Sequence, residues 1–357
     1  MYKFLIYISH PYSISIGKPL QLEVQKRGYE VFWFSDLEYT KEYLSEEIPL
    51  LNSVNDVLNY KPNIILTATD VVPDFFPGIK VQIFHGFSAN KRAFKKDHFR
   101  IRSLFDLYTT HGPSTTSIFK MLAKKYRTFE VIETGWSKVD PLFPIEPFTK
   151  KNKPVILISS TFTTRLSLAK NESVYNEIKR LTSTDKYLFH CVLHPMLDND
   201  TKNKFKALEN ENFSFFDTTD LIPLFKKADI MFSDTTSAIT EFLLQKKPVV
   251  TFRNNKPDKH LINITEIKDI EPAIETALNP PTILIDNIQE FINFTHPYFD
   301  GRSSERVIDA TIDFFTSDKS YLKKKPLNLM RKWKIRKKLK YYTLKSFNKP
   351  QTAFTNK

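Results

Sequence analysis

The chain contains little glycine and almost no cysteine. Its 357 residues include seven glycines, and none of them forms a G-x-G-x-x-G or Walker phosphate-binding pattern. A dinucleotide-dependent oxidoreductase or a P-loop kinase would normally use such a loop, because its glycines let the backbone approach the phosphates. The single cysteine, Cys191, excludes a disulfide framework and a cysteine-cluster metal site, and it suits a reducing compartment.

Long apolar runs are also missing. The N-terminal apolar run covers only residues 4–8, and His10-Pro11 follows where a signal peptide would have small residues. No stretch approaches the ~20 apolar residues that a membrane-spanning helix needs. We therefore expect a cytoplasmic protein that is either soluble or bound to the surface of a membrane.

Acidic residues are absent from the C-terminal tail, residues 321–357. The tail contains 13 Lys and Arg and accounts for the whole net charge of +13, so residues 1–320 are neutral. A neutral body argues against nucleic-acid binding. Because the tail mixes basic with aliphatic and aromatic residues, it predicts an amphipathic segment that lies on anionic membranes at the inner face of the cell membrane. Packing back on the body and RNA binding are the alternatives.

Residues 1–316 alternate short β-branched and aromatic runs with helical patterns. Runs of this kind predict an α/β fold with parallel sheets that are covered on both faces. The predicted strands are residues 4–9, 31–35, 63–69, 80–84, 106–110, 131–134, 155–160, 187–194, 213–217, 229–233 and 249–252.

A proline-rich, charged stretch at residues 141–154 predicts a linker between two Rossmann-like, doubly wound domains. We place the first domain at residues 1–145, the second at 154–316 and the basic tail at 321–357. In such sheets ligands bind at the carboxyl ends of the strands, so we expect an active-site cleft between the two domains.

The strongest local signal follows the strand at residues 229–233. There Ser233, Asp234, Thr235, Thr236 and Ser237 precede a predicted helix. Hydroxyl groups and backbone N–H groups at a helix start favour a bound phosphate. A cluster that merely caps the helix is the alternative.

Two histidines also end predicted strands. His85-Gly86 follows "VQIF", and a histidine at that place suits a proton acceptor at a crevice, whereas Gly86 alone would supply a turn with positive φ. His194-Pro195 follows "YLFHCVL", so His194 is a candidate donor to a phosphate, with capping or packing as the alternative.

Four further patterns have structural explanations at least as strong as functional ones. Asp198 and Asp200 match a D-x-D metal pattern, but two acids at a helix start are better explained by capping. His111-Gly112 with residues 114–117 is either a second anion nest or a cap. Lys138 in "TGWSKVD" faces either an anion or solvent, and residues 298–307 predict a turn capped into a helix.

Taken together, the motifs resemble the CDP-glycerol glycerophosphotransferases, the family that primes and extends teichoic acids and related capsule polymers. The resemblance covers most of residues 1–310, and its motifs occur in the family's order. They are "ISHPYSISIGKPLQLEVQKRGYEVFWF" near the start, "IFHG" (83–86), "TGWSKVDPL" (134–142), "ILISSTF" (156–162), "LHP" (193–195), "FSDTTSAITEFLLQKKPVV" (232–250) and "FDGRSSERV" (299–307).

The resemblance implies a GT-B-like fold, with an acceptor-side first domain and a second domain that binds the nucleotide donor. It implies that His85 is the catalytic base and that His194 is a second functional histidine. The family has two arginines in the corresponding motifs. By the resemblance, a lysine, Lys138, replaces one of them, and the other is shifted along the chain to Arg165. The donor pyrophosphate would be held by Ser233, Asp234, Thr236 and Ser237, and the ribose by Glu241.

The expected reaction is transfer of glycerol phosphate, or another polyol phosphate, from a CDP-activated donor to a hydroxyl of a lipid-linked glycan or polymer, with release of CMP. No cofactor and no protein-held metal are expected, although Mg²⁺ could be coordinated by the donor phosphates. A GT-B nucleotide-sugar glycosyltransferase and a non-catalytic, nucleotide-binding membrane scaffold are the alternatives.

Overall fold

The structure is a computed structural model of the whole chain, and it describes residues 1–87, 99–146 and 152–351. Parts of two predicted segments lie outside the described residues. These are residues 147–151 of the predicted linker and residues 352–357 of the predicted tail.

Two six-stranded sheets form the core of the protein, and every strand pair in them is parallel. Their strand orders are β2-β1-β3-β4-β5-β6 and β12-β11-β10-β7-β8-β9. The predicted α/β fold of two doubly wound sheets is therefore confirmed. The strands are β1 (Lys3–Ile8), β2 (Glu30–Ser35), β3 (Ile64–Thr67), β4 (Ile79–Gln82), β5 (Leu107–Thr110), β6 (Glu130–Glu133), β7 (Val155–Ser160), β8 (Leu188–Leu193), β9 (Phe213–Phe215), β10 (Ile230–Ser233), β11 (Val249–Phe252) and β12 (Ile262–Ile264).

Helices connect the strands. They are α1 (Ile14–Lys26), α2 (Glu38–Lys41), α3 (Val54–Tyr60), α4 (Pro113–Tyr126), α5 (Glu172–Thr182), α6 (Asn199–Lys206), α7 (Ile222–Lys227), α8 (Ala238–Leu243), α9 (Ile270–Leu278), α10 (Thr282–Thr295), α11 (Ser303–Thr316) and α12 (Leu329–Lys338).

Burial explains why the strands could be read from the sequence. Every residue of β3, β4, β5, β7, β10 and β11 is buried, as expected for strands covered on both faces. The eleven predicted strands are all present. The sequence analysis missed β12, which has three residues, all only partly buried, and so carries a weak signal.

The chain divides into two compact units. Among the described residues, the N-terminal unit comprises 1–85, 99–140 and 295–351, and the donor-side unit comprises 86–87, 141–146 and 152–294. The change at Asp140 lies close to the predicted boundary at 145. The predicted second domain, 154–316, differs from the observed unit because residues 295–316 group with the N-terminal unit.

Contacts of α11 explain this difference. The Asp140 carboxylate accepts hydrogen bonds from the backbone N–H groups of Ser303 and Ser304, at 2.9 and 2.7 Å, and so caps α11. At the other side of the helix, Arg27 after α1 pairs with Asp309. The predicted capped turn at residues 298–307 is therefore present, but its cap comes from a residue more than 160 positions earlier.

The tail also packs on the N-terminal unit. Ile335 of α12 joins the aromatic core beneath it, and Tyr341 stacks on Phe75 with ring centroids 4.3 Å apart. Packing on the body, one of the alternatives for the tail, therefore occurs. None of the helices in the described parts of the chain has the length and apolar character needed to cross a membrane.

Candidate functional site

His85 lies just beyond the carboxyl end of β4, and its side chain is exposed. The residue before it, Phe84, adopts φ 57° and is buried. A bulky residue in the left-handed region costs of order 1–3 kcal/mol, and such strain clusters at functional sites. The turn into His85 is therefore made by Phe84. Gly86 is not in the left-handed region, so the alternative in which Gly86 supplies a turn with positive φ is wrong.

Tyr12 lies beside His85 at this edge of the sheet and is linked through His10 to Tyr39, and the sequence analysis missed all three side chains. His10 follows β1, and its Nδ1 lies 2.6 Å from the Tyr39 hydroxyl. The Tyr12 ring stacks on His10 at 5.4 Å and lies 6.2 Å from the His85 ring. His10-Pro11 ends a buried strand just as His85-Gly86 does, so the same sequence signal was available.

The surroundings of His10 favour its neutral form, chiefly through burial. Burial lowers the pKa of His10, and the nearby Lys338 and His85 act in the same direction, whereas Asp36 opposes them. The Asp36 carboxylate is held in place by the Tyr7 hydroxyl, which donates to it at 2.6 Å. A neutral imidazole is a proton acceptor, so His10 and His85 give this edge two candidate bases.

His111 and Gly112 end β5, but the residues after them do not form an open anion nest. His111 is buried, and the hydroxyls of Thr115 and Thr116 donate to the Gly112 carbonyl at 3.1 and 2.9 Å. A Cβ at Gly112 would lie 2.4 Å from the Thr295 carbonyl oxygen, so glycine is required there by close packing. The structure supports the packing interpretation of this motif.

Lys138 follows β6 in a short 3₁₀ turn, Ser137–Leu142. Its side chain is half-buried, and the ammonium lies 5.3 Å from the centre of the Trp136 ring. Asp140, two residues on, is committed to capping α11. This motif thus combines a structural carboxylate with a lysine that a cation–π contact orients.

His296 gives the N-terminal unit a pH-sensitive stability. It is fully buried, its Nε2 accepts a hydrogen bond from the Trp136 backbone N–H at 3.0 Å, and burial lowers its pKa to about 4. In the unfolded chain a histidine titrates near 6.5, so the unfolded state binds the extra proton first as the pH falls. Stability is therefore lost between about pH 6.5 and pH 4.

We expect His296→Gln, whose amide oxygen can still accept from the Trp136 N–H, to remove part of this dependence. Urea unfolding at pH 7 and pH 4.5 should show that wild type loses about 2–3 kcal/mol more stability than the variant. Equal losses in the two proteins would contradict the assignment.

The side chains of the first three residues after β10's apolar run point into the protein, whereas the prediction had them facing a ligand. Ser233, Asp234 and Thr235 are all buried. The Ser233 hydroxyl donates to the Ser159 carbonyl at 2.6 Å, and the Thr235 hydroxyl accepts from the Asn255 backbone N–H at 3.1 Å. These three side chains make their hydrogen bonds within the protein, whereas the prediction had them in direct contact with phosphate.

Asp234 organises the loop that follows β7. Its carboxylate accepts hydrogen bonds from the Ser160 hydroxyl at 2.6 Å and from the backbone N–H groups of Thr161 and Leu168 at 3.0 and 2.9 Å. The Thr235 N–H donates as well. Burial raises the pKa of Asp234, and these hydrogen bonds act against that rise. Asp234 is therefore a positioning residue.

Thr236 and Ser237 are the partly exposed members of the loop. The Thr236 hydroxyl accepts from the Ala238 backbone N–H at 3.4 Å, which is a weak cap. Glu241 is buried one turn into α8. Among the residues of this segment that were predicted to contact a ligand, Thr236 and Ser237 are the ones whose side chains are accessible to it.

Arg165 lines a cavity of about 150 Å³ together with Lys170 and Arg253. In the described part of the chain neither arginine has an ion-pair partner, whereas Lys170 pairs with Asp198. Arg253 adopts φ 49°, and its Nε donates to the Thr265 carbonyl at 3.1 Å. This cavity beside the loop that Asp234 organises is a basic pocket suited to an anion.

His194 lies after β8, as predicted. Its Nδ1 accepts a hydrogen bond from the Met196 backbone N–H at 3.1 Å, and its ring packs 4.5 Å from that of Phe162. With Nδ1 accepting, a neutral imidazole carries its proton on Nε2 and can donate to a phosphate oxygen. Asp198 caps α6 through the Thr201 N–H at 2.9 Å, so the capping interpretation of the D-x-D pattern is supported.

Among the described residues no group of three or more His, Cys, Asp or Glu side chains could hold a metal ion.

The chain is similar in sequence to a teichoic acid poly(ribitol-phosphate) polymerase of Bacillus spizizenii, with 25% identity over 189 residues. The match covers 48% of this chain and 29% of that polymerase, so the chain spans less than a third of this curated relative. No family model matches the chain.

Solved structures match over nearly the whole chain. A variant of the wall teichoic acid polymerase TagF superposes with a TM-score of 0.66, at 14% identity, over 88% of both chains. A UDP-GlcNAc 2-epimerase from Neisseria meningitidis, bound to UDP-GlcNAc, gives 0.59 at 16% identity over 87% of this chain and 99% of that one. The chain therefore has the GT-B fold, and teichoic acid polymerases are among the proteins to which it is similar, in agreement with the resemblance that its motifs indicated.

Proposed function

We propose that the protein transfers glycerol phosphate, or another polyol phosphate, from a CDP-activated donor to a hydroxyl of a lipid-linked glycan or growing polymer. The observation that carries this proposal is the exposed His85, which follows the strained Phe84 at the carboxyl edge of the N-terminal sheet. That edge is where ligands bind in doubly wound sheets.

In the proposed reaction His85 takes the proton of the acceptor hydroxyl. The acceptor oxygen then forms a bond to the β-phosphorus of the donor, the bond from that phosphorus to the bridging oxygen breaks, and CMP leaves. Histidine is the side chain that most often takes part in proton transfers of this kind. His10 and Tyr12 would orient the acceptor next to His85.

The donor-side unit would supply the groups that hold the diphosphate. We assign this role to Arg165, to Thr236 and Ser237, and to the Nε2–H of His194, because these groups are at least partly exposed and can donate to oxygen. Lys138 of the N-terminal unit is proposed to contact a phosphate. Gly86 and Glu241 are kept as substrate-binding candidates, Glu241 for the ribose. Mg²⁺, where it takes part, would be carried by the donor phosphates.

Two relatives support a CDP-polyol donor. One is named as a poly(ribitol-phosphate) polymerase, and the other, TagF, was also solved after a soak with CDPG. The likeness to a UDP-GlcNAc 2-epimerase over almost that whole chain supports a second candidate, a UDP-sugar glycosyltransferase. A non-catalytic scaffold that only binds nucleotide is the third.

The test is nucleotide release by the purified full-length protein. CDP-glycerol, CDP-ribitol and UDP-GlcNAc would each be supplied with and without a membrane extract as acceptor. We expect CMP from one of the CDP-polyols, and only when acceptor is present. Release of UDP alone would make the protein a glycosyltransferase, and binding of a CDP-polyol without release would make it a scaffold.

A further inference from the structure

The tail is fastened to the N-terminal unit by buried ion pairs. Lys325 pairs with Asp106, and both side chains are buried. Lys332 and Arg336 of α12 both pair with the buried Asp74, at 3.5 and 3.0 Å. Because a buried charge left without its partner is costly, these pairs hold α12 in one orientation. The tail is thus a docked element with a defined outer side.

The outer side of α12 presents large apolar side chains to solvent. Met330 is 77% exposed and Trp333 is 57% exposed, and their spacing of three places them on one side of the helix. The Trp333 ring lies 5.7 Å from that of Tyr342, so the surface continues beyond the helix. We call this surface the α12 patch; it comprises Leu327, Leu329, Met330, Trp333, Tyr342 and Leu344, all of them exposed.

Exposed basic residues of the tail flank the α12 patch in the sequence. The tail contains no Asp or Glu. The exposed lysines next to the patch, none of which pairs with a carboxylate in the part of the chain that the structure describes, are Lys323, Lys324, Lys334, Lys337 and Lys340. An exposed apolar and aromatic patch with a basic rim complements an anionic lipid bilayer, in which the rings sit at headgroup depth and the lysines meet the lipid charge.

We propose that the α12 patch docks the N-terminal unit on an anionic membrane surface. The three ion-paired cations of the inner side hold the helix on the protein, and the outer lysines with Met330 and Trp333 contact the lipid. Membrane binding is therefore assigned to one face of a folded helix, where the sequence pointed to the tail as a whole.

Both ends of α12 lie beside the edge of the sheet that carries His85. At its end, Lys338 pairs at 2.7 Å with Asp36, which follows β2. At its start, the Asn328 side chain donates to the carbonyl of Arg102, whose guanidinium pairs with Asp70 just beyond β3. Docking would thus bring this edge close to the lipid surface, where a lipid-linked acceptor resides. That benefit rests on the proposed function, whereas lipid binding itself does not.

Tryptophan fluorescence gives a direct test with the full-length wild-type protein. The chain has three tryptophans, and Trp33 and Trp136 are 0% and 1% exposed, so Trp333 is the one that solvent reaches. We expect its emission to shift to the blue with vesicles of phosphatidylcholine plus phosphatidylglycerol, and not with phosphatidylcholine alone. Added salt should weaken the shift, because it screens the lysines.

A pair of variants distinguishes vesicle binding through the α12 patch from non-specific binding through any exposed basic surface. Lys334→Glu with Lys337→Glu should weaken co-sedimentation with the anionic vesicles at least ~25-fold, since each basic residue near such a surface contributes about fivefold. The matched control is Lys124→Glu with Lys125→Glu, which reverses the same number of charges on α4, a helix of the same unit whose last turn exposes both lysines. The control should bind like wild type.

Three results would overturn the proposal. They are an unchanged Trp333 emission with anionic vesicles, equal binding to neutral vesicles, and equal weakening by the α4 control. Because no donor or acceptor is present in these assays, their outcome is independent of whether the proposed transfer reaction is correct.

Discussion

His85→Ala is expected to lower acceptor-dependent CMP release by about 10²–10⁴-fold, the usual contribution of a positioned general base. Binding of the CDP-polyol should persist, because His85 is not among the residues proposed to hold the diphosphate. The thermal midpoint should also stay near that of wild type, since the His85 side chain is exposed. Loss of turnover with retained binding and folding is the signature of a group needed only for the chemical step.

The matched control is His190→Gln. His190 lies within β8 rather than after a strand, and its ring packs 5.0 Å from that of Phe216. This variant should release CMP at close to the wild-type rate. If His85→Ala did so too, the base assignment would be wrong, and His10 would be the next candidate because its environment favours the neutral form.

Asp234→Ala is expected to have the largest effect on the donor-side unit. The substitution leaves the Ser160 hydroxyl and the backbone N–H groups of Thr161 and Leu168 without their acceptor, in a site that water does not reach. Each buried donor that loses its acceptor costs about 1–3 kcal/mol, so the two backbone N–H groups together predict a loss of about 2–6 kcal/mol. Because Arg165 lies on the loop that these donors fix, donor binding should weaken as well.

Two measurements check this prediction together. Urea unfolding should show the loss of stability, and amide hydrogen exchange should accelerate at Thr161 and Leu168, whose N–H groups lose their partner. Asp220→Ala is the control, since that side chain is exposed in a loop of the same unit. Unchanged exchange at Thr161 and Leu168 in Asp234→Ala would show that the carboxylate does not hold this loop.

The functional reading of the loop after β10 changes accordingly. A pattern of hydroxyls and a carboxylate before a helix predicts ligand contact from all five residues. In the structure the first three turn inward, and the carboxylate links the loops after β7 and β10. Ligand contact is left to the partly exposed Thr236 and Ser237 and to Arg165 on the neighbouring loop.

The sequence by itself determined the class of the fold and where the strands lie. Strands that are buried on both faces are largely apolar, so a run such as Val155–Ser160 can be recognised in the sequence without knowledge of its neighbours in the sheet. The placement of His85 and His194 after strands follows from the same runs. Only β12, too short and too exposed to carry the signal, was missed.

Tertiary structure alone decided which side chains are available. Asp140 caps a helix more than 160 residues away, and the Asp234 carboxylate accepts hydrogen bonds from a neighbouring loop. Three of the tail's cations are buried in ion pairs with Asp74 and Asp106. The sequence pattern of these residues is the same whether they face a ligand, a membrane or the protein. What separates the cases is the partner that each polar group finds on folding, and that partner is set by contacts between residues far apart in the chain.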